Sequence, residues 1–189
     1  MTPRTSADVT AKKQDELLVV RCQLGERAAF DELTRRWHPP LWKYVRRVVG
    51  NDDAAKDLVQ DVWLRALRGI GRLRDGSRLR PWLFGIARRV LMDRLRHQYA
   101  NRIDDSFDVT ELAGSVDADD LEQEIAAMED ELARLPVTER EVLTLFYLRE
   151  LSLAEVSDVL DVPIGTIKSR LFRARQLLRR GLNSEGTRT

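Results

Sequence analysis

Residues 152–180 read SLAEVSDVLDVPIGTIKSRLFRARQLLRR. Ser152 and Glu155 form a capping-box pattern, in which a serine and a glutamate three residues on satisfy each other's backbone N–H groups at a helix start. A short helix to Leu160 follows, then the turn Asp161–Val162–Pro163–Ile164–Gly165, then a longer helix to about Leu182. Short helix, tight turn and longer helix make the helix-turn-helix arrangement, whose second helix enters the major groove of DNA. On that second helix Ile164, Ile167, Leu171, Ala174 and Leu178 share one face at ~100° per residue and should pack inward. The opposite face carries Ser169, Phe172, Arg173, Gln176 and Arg180, with Lys168 and Arg179 beside it. From Pro163 to Ser184 there are six basic residues and no acidic one. Phe172 lies off the apolar stripe, where an aromatic ring is costly to leave bare. A thymine methyl would cover it in a major groove while Arg173 reaches a guanine edge. A solvated basic helix would account for the charge alone, but not for the capping box, the turn, the polarity contrast and the off-stripe phenylalanine together.

Upstream, Pro136 precedes Thr138–Glu139–Arg140–Glu141, a second capping-box pattern that opens another helix. Before it the composition changes sharply: between Ile103 and Ala133 there are twelve acidic residues and no basic ones. The first half of this stretch lacks periodicity and reads as a linker, whereas Leu121, Ile125, Met128 and Leu132 give the part from Asp119 to Leu135 a helical spacing. Further back, helices are expected from Asp15 to Leu24, stopped at Gly25, and from Glu26 to Val49, where Pro39–Pro40 should kink or break the second. Another runs from about Asp53 to Leu67, with Leu58, Val59, Val62, Trp63, Ala66, Leu67 and Ile70 as its stripe. A loop with three glycines, Gly69 to Arg80, leads into a long helix that Pro81 should open and that ends near Asn101. Strand-like alternation is nearly absent. All four tryptophans (Trp37, Trp42, Trp63, Trp82) precede the linker, so two separate cores are expected. The reading is all-α, two small helical domains joined by an acidic linker. It comprises a disordered N-terminus over 1–14, a first domain over 15–102, the linker over 103–118, a second domain over 119–183 and a tail over 184–189.

The chain has 189 residues, 43% hydrophobic and 33% charged, with a net charge of only +1, so the distribution of charge rather than its total points to nucleic acid. The single cysteine, Cys22, lies among Leu17, Leu18 and Val19 and reads as a packing residue. His38 and His97 are isolated, no Cys/His cluster has zinc spacing, and no metal or cofactor is expected. Met1 to Lys13 is polar, with no apolar run that could serve as a signal peptide. No stretch approaches the roughly 18 apolar residues of a membrane span, so a cytoplasmic protein without membrane insertion is expected.

From Arg65 to Arg102 there are eleven arginines against two acidic residues, Asp75 and Asp93. Arginine pairs with phosphate and stacks on bases, and the Gly69–Arg80 loop interleaves Arg72, Arg74, Arg78 and Arg80 with small residues, as a holder of single-stranded nucleic acid would. A surface rich in arginine because the genome is GC-rich explains this half equally well. Asp57, Gln60 and Asp61 line the polar face of the Asp53–Leu67 helix. Without an accompanying His, Lys or ligand set they read as a partner-binding or solvated face rather than a catalytic pair.

Taken together, Asp57–Leu–Val–Gln–Asp–Val–Trp–Leu–Arg–Ala66, Pro81–Trp–Leu–Phe–Gly–Ile–Ala–Arg–Arg89 and Asp93–Arg–Leu–Arg96 resemble region 2 of RNA polymerase sigma factors. Leu135–Pro–Val–Thr–Glu–Arg–Glu–Val–Leu143 with Gly165–Thr–Ile–Lys–Ser–Arg–Leu–Phe–Arg–Ala–Arg175 resembles region 4. Only these two regions are visible, as in the extracytoplasmic-function (ECF) subgroup, and the resemblance spans roughly Leu17 to Leu182. It implies a factor that binds bacterial core RNA polymerase and promoter DNA, duplex and single-stranded. Asp57, Leu58, Gln60 and Asp61 would contact the clamp helices of the polymerase's largest subunit. Arg72, Arg74, Arg78, Arg80, Trp82, Arg88 and Arg89 would serve the minus-ten element, with the Gly69–Arg80 loop taking an extruded base. Lys168, Ser169, Arg170, Phe172 and Arg173 would read the minus-thirty-five duplex, and the acidic linker would run toward the RNA exit channel. With so little chain after region 4, no fused regulatory domain is expected, and control would fall to a separate anti-sigma factor. Where the family often carries an acid before Asp-Leu-Val-Gln, this chain has Lys56, so the acidic contact would rest on Asp57 and Asp61.

Two other readings compete. An autonomous helix-turn-helix regulator would need its own dimer interface and a palindromic site, and no sustained heptad or extra dimerisation helix is evident. An enzyme would need a nucleophile–base pair, a phosphate-cradling glycine loop or a metal set, and the sequence offers none.

Overall fold

The computed structural model describes residues 6–101 and 130–185, with side chains over 10–97 and 130–181. The proposed linker and most of the helix expected from Asp119 lie outside them; of that helix, 130–134 is described and is helical.

The N-terminal bundle consists of α1 (Ser6–Gln23), α2 (Arg27–Val49), α3 (Asp52–Gly69) and α4 (Leu79–Asn101). Two 3₁₀ turns, Ile70–Arg72 and Gly76–Arg78, occupy the expected loop between α3 and α4. The start of α1 lies at Ser6 rather than Asp15, inside the stretch read as a disordered terminus. Its packing residues Asp15, Leu18, Val19 and Cys22 are nevertheless those of the expected helix. Burial also pushes the Cys22 thiol up, as befits a residue used for packing.

In α2 the double proline does not break the helix: Pro39 and Pro40 lie inside one continuous element. Each lacks the N–H that would bond four residues back, a cost of about 3 kcal/mol in an isolated helix. The stripe on either side, Ala29, Leu33, Trp37, Leu41, Tyr44, Val45 and Val48, is buried as one face, and that packing outweighs the lost bonds. Gly50 then ends α2 in the left-handed region (φ 71°), its N–H donating to the Arg46 carbonyl, and Asn51 caps α3 by accepting from the Ala54 amide at 2.9 Å.

The C-terminal bundle consists of α5 (Val137–Leu143), a π turn over Thr144–Leu148, α6 (Leu153–Leu160) and α7 (Ile164–Glu185). The capping box at Ser152 is present in both directions, and Asp161 makes the turn with a positive φ of 51°. The expected box at Thr138 is absent: Pro136 occupies the cap position, and Glu141 is turned into the protein.

The two bundles do not keep separate cores. Buried apolar side chains run continuously from Leu18 to Ala174, and α4 packs on α6 across the junction. Phe84 stands edge-on to both Trp37 (6.5 Å) and Tyr44 (5.4 Å) beneath this seam. The fold is otherwise as read: all-α, in two helical domains.

Candidate nucleic-acid interface

On α7 the inward stripe is Ile167, Leu171 and Ala174, all buried, with Leu178 partly so; Ile164 is exposed instead. The outward face brings Lys168, Ser169, Phe172 and Arg173 together, all exposed. Phe172 is 62% exposed, so its ring contributes little to the core. Arg173 is held by an ion pair to the Glu139 carboxylate at 3.4 Å, although Glu139 itself is only 3% exposed. Ser169 donates its hydroxyl back to the Thr166 carbonyl at 2.9 Å, leaving its oxygen as an acceptor. Arg170 departs from the set: it is half-buried, and its charge favours the ionised form of the buried Glu141 carboxyl on α5. Beyond this face, Arg175 lies over the Tyr147 ring at 5.5 Å.

On the N-terminal bundle Arg72 and Arg74 are exposed on the loop between α3 and α4, and Arg89 is exposed on α4. Trp82 is half-buried, its ring laid against Gly69, where a Cβ would stand 3.1 Å from the indole. Asp75 shapes the loop by accepting from the Ser77 hydroxyl (2.6 Å) and amide (3.0 Å), which hold its carboxyl below the usual range. The other arginines are engaged by the C-terminal bundle. Arg78 is ion-paired with Asp158 of α6, and Arg88 lies 3.6 Å from Glu141 of α5. Arg80 is half-buried and lines a polar cleft at the junction with Lys12, Asp15, Arg36, Arg149 and Glu150. Burial and the neighbouring Arg47 and Arg80 push the Arg149 guanidinium down.

Asp57, Gln60 and Asp61 are exposed on α3, and Gln60 itself lines an apolar groove with Phe30, Trp63, Leu64 and Leu67. Leu58 is 5% exposed and points into the core, so it supports the helix and offers no side chain to a partner. The periodicity that put it in the apolar stripe is the reason. Lys56 donates to Asp53 at 3.1 Å on the exposed side of the same helix.

Sequence reasoning missed Gln23, whose amide reaches the Ile70 and Leu73 carbonyls on the loop, and the acidic partners Glu139, Glu141 and Asp158. No local pattern marks a contact between residues so far apart in the chain. Among the described residues no group of three or more His, Cys, Asp or Glu could hold a metal, and no helix is long and apolar enough to cross a membrane.

Residues 33–101 match the family described as Sigma-70 region 2, and residues 125–178 match Sigma-70, region 4. The ECF RNA polymerase sigma factor SigM of Mycobacterium tuberculosis is 32% identical over 172 residues, covering 89% of this chain and 85% of the relative. The RNA polymerase sigma-H factor of Pseudomonas aeruginosa is 31% identical over 184 residues, covering 90% and 95%. Among solved structures, the sigma factor RpoE of Bartonella quintana, in complex with the anti-sigma factor NepR, has a TM-score of 0.69 at 27% identity, covering 82% of this chain and 96% of that one. CnrH, in complex with the cytosolic domain of CnrY, shares the fold at a TM-score of 0.69 and 24% identity, covering 90% and 97%. With both regions matched in order and relatives of this identity along most of its length, the chain belongs to the ECF RNA polymerase sigma factors, which are transcription initiation factors.

Proposed function

We propose the following division of labour for this sigma factor in the cytoplasm. The exposed acidic face of α3, Asp57, Gln60 and Asp61, docks on core RNA polymerase, with the groove beside it supplying apolar area. Lys168, Ser169, Phe172 and Arg173 read the minus-thirty-five element as duplex. The loop bearing Arg72 and Arg74, with Arg78, Arg80, Trp82, Arg88 and Arg89 behind it, holds the melted non-template strand of the minus-ten element. The carrying observation is the outward face of α7, where Phe172 stands 62% exposed between cations while the opposite face forms the core.

Each domain is small, and tethering both to one polymerase supplies an effective concentration that neither has alone. A net charge of +1 keeps the free protein from adhering to bulk DNA. No step in this scheme asks the chain for catalysis. The α3 face and its groove are also where a separate anti-sigma factor would act most directly, by covering the polymerase contact.

The test is fluorescence anisotropy of the labelled protein against bacterial core RNA polymerase without DNA. Saturable binding that Asp61→Arg weakens by about tenfold, the equivalent of 1.4 kcal/mol, supports the reading. Saturable binding indifferent to Asp61→Arg moves the contact off α3, and absence of binding removes the proposed role.

A further inference from the structure

We propose that Gln23, at the last position of α1, is a positioning residue for base recognition in the minus-ten element, acting by fixing the α3–α4 loop in its reading shape. The inference rests on the reading that this loop takes the non-template base.

The side-chain amide of Gln23 donates to two backbone carbonyls of the loop, Ile70 at 3.0 Å and Leu73 at 2.9 Å. Both partners are carbonyls, so the amide must present its NH₂ and not its oxygen. The two acceptors bracket the first 3₁₀ turn, Ile70–Arg72, which is itself closed by the Leu73 amide donating to the Ile70 carbonyl at 3.1 Å. One side chain thereby fixes both ends of the turn that carries Arg72.

A second pin follows three residues on. A Cβ built on Gly76 would stand 2.9 Å from the Glu16 Cα and 3.3 Å from the Glu16 carbonyl oxygen. Backbone here lies on backbone, and no larger residue fits without moving α1 or the loop. Arg72 and Arg74 therefore project from a segment held by α1 at Ile70, Leu73 and Gly76, while both arginines stay exposed.

The energetic sense is preorganisation. A loop that must be ordered when the base arrives spends binding energy on its own entropy, and one already ordered spends it on discrimination. The matched region 2 segment is 33–101, so the splint comes from a helix outside it. Gln23 is itself exposed and contributes to no core, which separates its role from that of Leu18 or Cys22.

The experiment uses holoenzyme, core polymerase plus full-length protein. It selects from a pool of bubble templates whose non-template strand is randomised over the melted segment. The readout is the enrichment of the preferred base over the other three at each position. Gln23→Glu keeps the shape and removes both donors; Gln23→Leu removes them without adding charge; Gln23→Lys keeps a donor at similar reach. Enrichment at one or two adjacent positions should fall about three- to tenfold in the first two, the scale of two modest hydrogen bonds, and persist in the third. Melting temperature should fall only slightly in the first two, since Gln23 is exposed and outside the core, and affinity for core polymerase should stay unchanged in all three. Unaltered enrichment in Gln23→Glu and Gln23→Leu overturns the proposal, as does a uniform loss of binding with no change in base preference. Arg72→Ala combined with Arg74→Ala separates the two layers of inference. If that variant also leaves the selection unchanged, the loop does not read the base and the underlying reading fails. If it alters the selection while the Gln23 variants do not, only the role of Gln23 fails.

Discussion

The phenolic hydroxyl of Tyr44 donates to the carboxylate of Glu141 at 3.0 Å, joining α2 of region 2 to α5 of region 4 in a site from which water is excluded. Arg88 of α4 approaches the same oxygen at 3.6 Å, and Arg140, one residue earlier on α5, reaches back to the Arg47 and Val48 carbonyls at 3.4 and 3.3 Å. The closed arrangement of the two domains is thus written in polar contacts as well as in the shared core. A hydroxyl or carboxylate left unpaired in such a site costs about 1–3 kcal/mol. Tyr44→Phe keeps the ring against Phe84 and deletes the donor, so the unfolding free energy from urea titration should fall by that much, lowering the midpoint, with helix content unchanged. A midpoint identical to wild type would mean that the hydroxyl is already hydrated, and hence that the domains stand apart in solution.

The same carboxylate makes stability depend on pH. Burial pushes Glu141 above its ordinary value of 4.5, against the opposing pull of Arg88, the Tyr44 hydroxyl and Arg170, the groups that face it from α4, α2 and α7. The folded state then holds its proton where the unfolded state has released it. The contribution is fully present below 4.5 and is lost as pH rises through the raised value. Asp15, also raised chiefly by burial, acts in the same direction. Glu141→Gln should therefore flatten, without abolishing, the decline in stability from about pH 4.5 upward, as read from denaturant midpoints across the pH range. An unchanged slope would assign the effect to Asp15 alone.

Region 4's helix-turn-helix was legible because every device in it is local. Ser152 and Glu155 are three residues apart, and the stripe of α7 repeats every turn. Where readings failed, tertiary contacts outvoted local ones. The Thr138–Glu141 pattern looks like a cap, but Tyr44, 97 residues away, takes the Glu141 carboxylate. Pro39–Pro40 signals a break, yet the buried stripe through Trp37 and Leu41 carries α2 across it. The arginines between Arg65 and Arg102 were visible as a group. That Arg78 and Arg88 belong to the interface while Arg72 and Arg74 are free of the C-terminal bundle depends on Asp158 and Glu141, which no spacing links to them.

The reciprocal cap at Ser152 gives a local stability prediction. Its Oγ accepts from the Glu155 amide at 3.2 Å, and the Glu155 carboxylate accepts from the Ser152 amide and hydroxyl, both at 2.8 Å. Ser152→Ala should cost about 1 kcal/mol of stability, within a range of about 0.5–2. Burial alone would raise the Glu155 carboxyl, but the Ser152 amide and hydroxyl, with Lys12 and Arg80, outweigh it and hold the group low. Its stabilisation is therefore present above pH 4.5 and is lost as pH falls through the lowered value, opposite in sign to Glu141. Calorimetry of wild type and Ser152→Ala should show their difference shrinking in acid.

Phe172 and Arg173 separate binding from folding in different ways. Phe172 is exposed, so Phe172→Ala should change stability by no more than about 0.5 kcal/mol. It should weaken duplex binding by the holoenzyme about tenfold or more if the ring is buried against a thymine methyl. Arg173→Ala should cost about 1–3 kcal/mol at one base pair if the guanidinium reads a guanine. It also leaves the buried Glu139 without its cation, so some loss of stability accompanies it. Footprinting on a panel of single-base-pair promoter variants distinguishes a lost base contact from equal weakening on every sequence, the mark of a phosphate contact.

Arg78 and Asp158 form the most exposed of the links between the two regions, with 53% and 49% of their side-chain surfaces accessible. An ion pair so wet contributes at most about 1 kcal/mol, so it cannot hold the domains closed by itself. It does occupy a guanidinium that the proposed minus-ten site requires. Asp158→Asn should leave the melting temperature almost unmoved and raise the affinity of the free protein for single-stranded oligonucleotide by no more than about fivefold, the equivalent of that 1 kcal/mol. Combined with Tyr44→Phe, which weakens the buried part of the same interface, the gain should exceed the product of the two single effects, because opening then frees Arg88 as well as Arg78. In holoenzyme, under the proposed scheme in which polymerase holds the two regions at separate promoter elements, Asp158→Asn should have no effect on strand binding. Anisotropy with a labelled oligonucleotide, run on the free protein and on the holoenzyme, measures both. Equal gains in the two states would show that Asp158 acts by repelling phosphate directly and not by engaging Arg78.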